Sequence, residues 1–78
     1  MKEYSLEELK QHNGSGKNKA YIAYDGLIYD VTGSFLWKSG KHQVSHYAGK
    51  DLTGELDRAP HGIEFLNRFP VIGYLKKS

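Results

Sequence analysis

Three of the four histidines fall in one short region: His42 and His46 within "GKHQVSHYAGKDL", and His61 within "RAPHGIEFL". Neutral imidazole is the commonest protein metal ligand. If residues 41–47 form a helix, His42 and His46 lie one turn apart on one face. A His-x-x-x-His pair of that kind can chelate one metal ion. The segment is not H-E-x-x-H, because Gln43 follows His42, so the carboxylate base of a zinc protease is missing. A structural zinc site of His42, His46, His61 and a carboxylate such as Asp51 is one reading. Three solvated histidines that hold nothing is another.

His61 carries a signal of its own. It sits between Pro60, which fixes φ, and Gly62, which has no side chain. That pairing stiffens a loop tip and lets a ligand approach the backbone closely. Apolar Ile63, Phe65 and Leu66 follow directly. An imidazole held over an apolar surface suits a flat, greasy haem better than a bare cation, whose sites carry carboxylate or water-bearing partners.

The elements that must position these residues are short. The chain has 78 residues, the size of one domain spanning 1–78. A domain this small buries only about 60% of its unfolded surface, so a cofactor can add needed stability. There is no cysteine, which excludes disulfides, Cys-ligated zinc, iron–sulfur clusters, thiolate-ligated haem and covalently attached haem. Ser5 and Glu8 form a capping box that starts a helix, with Leu6 and Leu9 on one face and Tyr4 placed to staple onto it. Ala20 to Tyr24 and Leu27 to Val31 are β-prone, and Asp25-Gly26 between them is a strong hairpin signal. Phe35, Leu36 and Trp37 lie in a loop or short helical turn. Residues 41–47 read as a short helix ending at Gly49, a glycine suited to the position after a helix. A helix near 52–58 stops before Pro60. Another carries Ile63, Phe65 and Leu66 inward, and Val71 to Leu75 closes as a strand. The class is α+β.

Net charge is +2 with no Lys/Arg run, so nucleic acid is not an expected partner. No apolar stretch approaches the ~20 residues that span a bilayer, and no signal-peptide core is present. The expectation is a soluble, cytoplasmic monomer. Aromatic residues make up 13% of the chain, with six tyrosines, rings that either fill a small core or line a flat ligand.

In order and spacing, the pieces together resemble a cytochrome b5-like haem-binding domain along nearly the whole chain. "YSLEELKQHN" is similar to the family's opening helix, and "YIAYDGLIYDVTGSFL" to its strand–turn–strand ending in Tyr-Asp-Val-Thr. "YAGKDLTGEL" resembles the Ala-Gly-x-Asp-x-Thr helix–turn, and "FPVIGYL" the closing strand with Gly-x-Leu. "APHG" occupies the place of the second axial histidine. His61 lies thirteen residues after Ala48, the family's spacing. The first ligand departs from the pattern: His-Pro-Gly-Gly is absent, and the segment between Leu36 and Ala48 looks shortened and rebuilt. The resemblance implies His42 as first axial ligand, with His46 the alternative.

A non-covalent haem b ligated by two histidines implies a one-electron carrier rather than an enzyme, since no coordination position stays open. Leu36, Val44, His46, Tyr47, Leu52, Leu56, Ile63, Phe65 and Leu66 would line its pocket. The related membrane-associated progesterone receptor group shares the shortened segment and holds haem through a tyrosine. That makes a five-coordinate or tyrosinate-ligated haem sensor, or a steroid-binding module, the alternative, with Tyr47, Tyr21, Tyr24 or Tyr29 as ligand. Lys38, Lys41, Lys50 and Arg58 flank the proposed ligands, so a redox partner protein, if one docks there, is expected to be acidic.

Overall fold

The computed structural model describes residues 1–14, 19–32, 41–42, 46–58, 64 and 66–76, with the backbone alone at 41–42 and 46–47. Its elements are β1 (Lys2–Tyr4), α1 (Leu6–Gln11), β2 (Tyr21–Tyr24), β3 (Leu27–Asp30), β4 (Lys41–His42), β5 (His46–Tyr47), α2 (Thr53–Arg58) and β6 (Val71–Leu75). Four strands form one mixed sheet in the order β1-β6-β3-β2, and β4 pairs with β5 separately. The α+β class follows the expectation.

The β2–β3 hairpin forms where Asp25-Gly26 places it. Both turn residues have positive φ, 51° at Asp25 and 80° at Gly26, the conformation that matches the twist of the flanking strands. Along β2, side chains alternate between the two faces of the sheet. Ala20 and Ile22 join one buried cluster with Val31, Ala48, Leu52, Leu56 and Leu66. Tyr21 and Ala23 join the other with Tyr4, Leu9 and Ile28.

The opening helix has its capping box: the Glu8 N–H donates to Ser5 Oγ, and the Ser5 N–H donates to the Glu8 carboxylate, each at 3.1 Å. The serine amide holds the Glu8 carboxyl below the usual carboxylate range, helped by the nearby Lys2 charge. Leu9 is fully buried and shares a cluster with Tyr4, so the staple is present. Leu6, expected on the same inward face, is 47% exposed; six residues of helix present only one turn to the sheet.

Strand β1 is an element the sequence reading missed. It runs parallel to β6, Lys2 opposite Gly73 and Tyr4 opposite Leu75. Gly73 is required there, since a Cβ on it would lie 2.2 Å from the Lys2 carbonyl oxygen and 2.8 Å from the Tyr4 ring. Between β3 and β6 the register slips: Ile28 faces Gly73 and Tyr29 faces Val71. The bulge sets Ile72 against the Tyr4–Leu9 cluster.

Candidate functional site

Three of the proposed pocket residues, Leu52, Leu56 and Leu66, meet on the face that carries Ile22 and Val31. Leu52, Leu56 and Leu66 are all fully buried there. Tyr24, Tyr29 and Phe69 pack around them half-buried. Among the described residues no polar or charged residue is buried, so this cluster is dry and wholly apolar.

Two Asp-x-Thr units hold that face in place. At the end of β3, Asp30 Oδ1 accepts from both the amide and the hydroxyl of Thr32. With its proton committed to Asp30, Thr32 Oγ1 accepts the Ala20 amide at 2.9 Å. At the start of α2, Asp51 Oδ1 accepts from the amide and hydroxyl of Thr53, and Thr53 Oγ1 accepts the Asp25 amide at 2.8 Å. Carboxylate acceptors of this kind serve helix starts and turns because they satisfy backbone N–H groups that have no other partner. The two units fix β2 at both ends. The sequence reading quoted both motifs without finding their role; the repeated Asp-x-Thr was the available signal.

The chain from 49 to 52 lies along the outer edge of β2. The Gly49 amide donates to the Tyr21 carbonyl at 2.6 Å, the Ala23 amide to the Lys50 carbonyl at 3.0 Å, and the Leu52 amide to the Ala23 carbonyl at 2.8 Å. This short parallel ladder delivers Ala48 and Leu52 to the apolar cluster. Gly49 has φ +88°, and a Cβ on it would sit 3.2–3.3 Å from Asn13 Cβ and the Leu9 and Lys10 carbonyl oxygens.

Residues 41–47, expected to be helical, contain instead the antiparallel pair β4–β5, in which His42 is the direct partner of His46 and Lys41 of Tyr47. The two histidines therefore pair across strands rather than one helical turn apart. A seven-residue helix is too short to nucleate without packing, and the Gly49 amide bond to β2 draws the chain out extended. Gly49 does take the left-handed conformation expected of it, but after a strand.

Of the remaining proposed site residues, Leu36, Val44, His61, Ile63 and Phe65 lie outside the described residues, as do the side chains of His42, His46 and Tyr47. The carboxylate suggested for zinc, Asp51, accepts the amide and hydroxyl of Thr53 on its Oδ1. Among the described residues no group of three or more His, Asp or Glu is placed to hold a metal ion.

The tyrosines named for haem ligation separate by face. Tyr21 belongs to the opposite cluster, and burial raises its phenol pKa, with nearby Tyr4 and Asp30 adding to the shift. Tyr24 is on the site face but donates its hydroxyl to Asp57 Oδ1. That bond is the main reason its phenol is pushed up to about 12. Both environments oppose a phenolate. Tyr29 packs against the apolar cluster.

A porphyrin needs a dry apolar surface and nitrogen or oxygen donors to its iron. Leu52, Leu56 and Leu66 form an apolar cluster of that kind, and β4 and β5 bring the backbone of His42 and His46 into register beside each other. The apolar cluster fits the group. A family model described as "Cytochrome b5-like Heme/Steroid binding domain" matches residues 5–76. The chain belongs to this family.

Solved members of the cytochrome b5-like family superpose on it closely. A Hadesarchaea cytochrome b5 domain protein is 54% identical with a TM-score of 0.92, covering 97% of this chain and 100% of its own. One from Methanococcoides burtonii is 49% identical, also at TM-score 0.92, covering 97% and 99%. Among curated relatives, probable steroid-binding protein 3 of Arabidopsis thaliana is 38% identical over 58 residues, 72% of this chain and 57% of its own length. Chitin synthase 5 of Exophiala dermatitidis is 38% identical over 56 residues, 65% of this chain but 3% of that protein. The chain thus spans only part of the curated relatives it matches. No helix among the described residues is long and apolar enough to cross a membrane.

Proposed function

We propose that this domain binds haem b non-covalently and serves as a one-electron carrier rather than an enzyme, with His61 and His42 as axial ligands and His46 as the alternative to His42. The observation that carries this reading is the wholly apolar cluster of Leu52, Leu56 and Leu66, joined through Ala48 to a hairpin in which His42 and His46 are register partners. Haem ligated on both sides by imidazole supplies a single-electron couple with no open position for oxygen or substrate.

The chain's own residues do the rest. The leucines exclude water. Each ligand imidazole would use one nitrogen for iron and donate its other N–H to a carbonyl, with those of Gly40 and Ala59 the proposed acceptors, which would fix ring orientation. The partner is a redox protein presenting carboxylates to Lys38, Lys41, Lys50 and Arg58, met by a monomer in the cytoplasm; neither nucleic acid nor a membrane segment enters this reading.

The similarity to a plant protein named as a probable steroid-binding protein favours one second reading: a haem sensor or steroid-binding module using the same apolar face, with five-coordinate or tyrosinate-ligated haem. The bonds and burial of Tyr24 and Tyr21 weigh against those two as tyrosinate ligands, leaving Tyr29 and Tyr47.

Visible spectra of protein supplied with haem decide between the two. The expected result is a sharp Soret band with separate low-spin α and β bands on reduction. High-spin spectra are expected for His61→Ala and for whichever of His42→Ala and His46→Ala removes the first ligand. A high-spin wild type, or no haem uptake, overturns the electron-carrier reading.

A further inference from the structure

On the face away from the apolar site, His12 ends helix α1. Its Nδ1 lies 2.9 Å from the Glu8 carbonyl oxygen. A carbonyl can only accept, so Nδ1 carries the proton and donates. The imidazole stacks on Tyr21 with centroids 4.4 Å apart and planes 10° from parallel. Tyr4 meets both rings edge-on, at 6.1 Å and 5.7 Å. One histidine therefore ties the last turn of α1 to the first residue of β2, and its backbone repeats the tie, the His12 carbonyl accepting the Tyr21 amide at 2.9 Å.

The corner so formed receives Gly49. That glycine donates its amide to the Tyr21 carbonyl at 2.6 Å. Its Cα is backed against Leu9, Lys10 and Asn13 closely enough that a Cβ would be crowded at 3.2–3.3 Å. Gly49 follows β5 by a single residue, Ala48, and the β4–β5 register places His46 opposite His42. The shape of the corner therefore sets where the strand bearing His46 leaves the sheet.

We infer that His12 is a positioning residue for the β4–β5 hairpin: by clamping the end of α1 to Tyr21 it shapes the seat of Gly49, and through Gly49 it fixes the strands that carry His42 and His46. The consequence for haem rests on the reading above; the consequence for Gly49 does not.

The test compares His12→Ala, His12→Phe and the same-face control Ile28→Val with wild type, each purified with haem supplied. His12→Phe keeps the stack without the N–H. The first readout is the backbone amide resonances of Ala48 to Lys50 and of β4 and β5. His12→Ala is expected to shift them and to speed exchange of the Gly49 amide, His12→Phe to restore them in part, and Ile28→Val to leave them in place. The second is transfer of haem to an excess of apomyoglobin together with the low-spin electron paramagnetic resonance g-values. His12→Ala is expected to lose haem about tenfold faster, the low end of what loss of an outer support of a metal ligand costs, and to change its g-values. Unmoved Gly49 and β5 amides in His12→Ala overturn the inference whatever the haem does. So do wild-type g-values combined with haem loss no faster than in Ile28→Val. A wild type that takes up no haem defeats the functional reading, and the amide readout still decides this one.

Discussion

The two faces of the sheet are built differently from nearly the same strands. One is closed by rings and a helix: Tyr4, Tyr21 and His12 interlock edge-on and stacked, Leu9 and Ile28 fill beneath them, and Gly73 lets Tyr4 lie flat on β6. The other is aliphatic, with Ile22, Val31, Leu52, Leu56 and Leu66 around two alanines. Rings with fixed partners lock a surface into one geometry. Aliphatic side chains and alanines have no directional partners and pack by shape alone. The strand alternation of β2 puts these two kinds of packing one residue apart, so the ring face can hold the aliphatic one in shape.

If the ring face is the rigid one, crowding it should do the most damage. Gly73→Ala would place a Cβ against the β1 backbone. It is expected to cost about 3 kcal/mol or more, the upper end of overpacking, read as a fall in the urea midpoint and loss of the β1–β6 amide bonds. A smaller change that leaves β1 paired would mean the sheet yields where it looks fixed.

Trimming each face separately sharpens the contrast. Ile28→Ala and Leu56→Ala, both fully buried, should each lower stability by about 2–5 kcal/mol. Only Leu56→Ala should also speed haem loss beyond what its stability change accounts for. Equal haem retention in the two variants would place Leu56 in ordinary core.

The smallest expected effect is electrostatic. With the Tyr24 phenol pushed up to about 12 from an ordinary 10, the folded state holds that proton more tightly than the unfolded state. The stabilisation is full below pH 10 and is lost as pH rises from about 10 toward 12. Alkaline titration followed by tyrosinate absorbance should show a late phase that disappears in Tyr24→Phe. An unchanged late phase would assign it to another tyrosine.

Much of this was legible where local chemistry decides structure. Ser5 and Glu8 announce α1, Asp25-Gly26 announces the hairpin, and the helix expected near 52–58 is α2. What escaped depends on distant partners. Lys2 to Tyr4 has no alternation to mark a strand, and it becomes one only because Gly73, at the other end of the chain, accepts it. Residues 41–47 carry an i,i+4 histidine spacing that mimics a helix, yet the pull of the Gly49 amide on Tyr21 and the two-residue β4–β5 pairing win. Of the four leucines proposed for the pocket, Leu52, Leu56 and Leu66 meet in one cluster, and Leu36 lies outside the described residues. The threonine and aspartate that hold them were visible as motifs, but their role needed the strand they grip.

The exit and return of the segment bearing the proposed first ligand have a consequence for how such domains diversify. The chain departs at Thr32, whose hydroxyl grips the Ala20 amide, and returns at Gly49, whose amide grips the Tyr21 carbonyl. The two residues gripped, Ala20 and Tyr21, are consecutive in the chain, so the anchors sit side by side at the start of β2. Closing a connection between such anchors depends little on its length, since doubling a closed loop costs only about 0.6 kcal/mol. A connection of another length or sequence can therefore join the same two anchors.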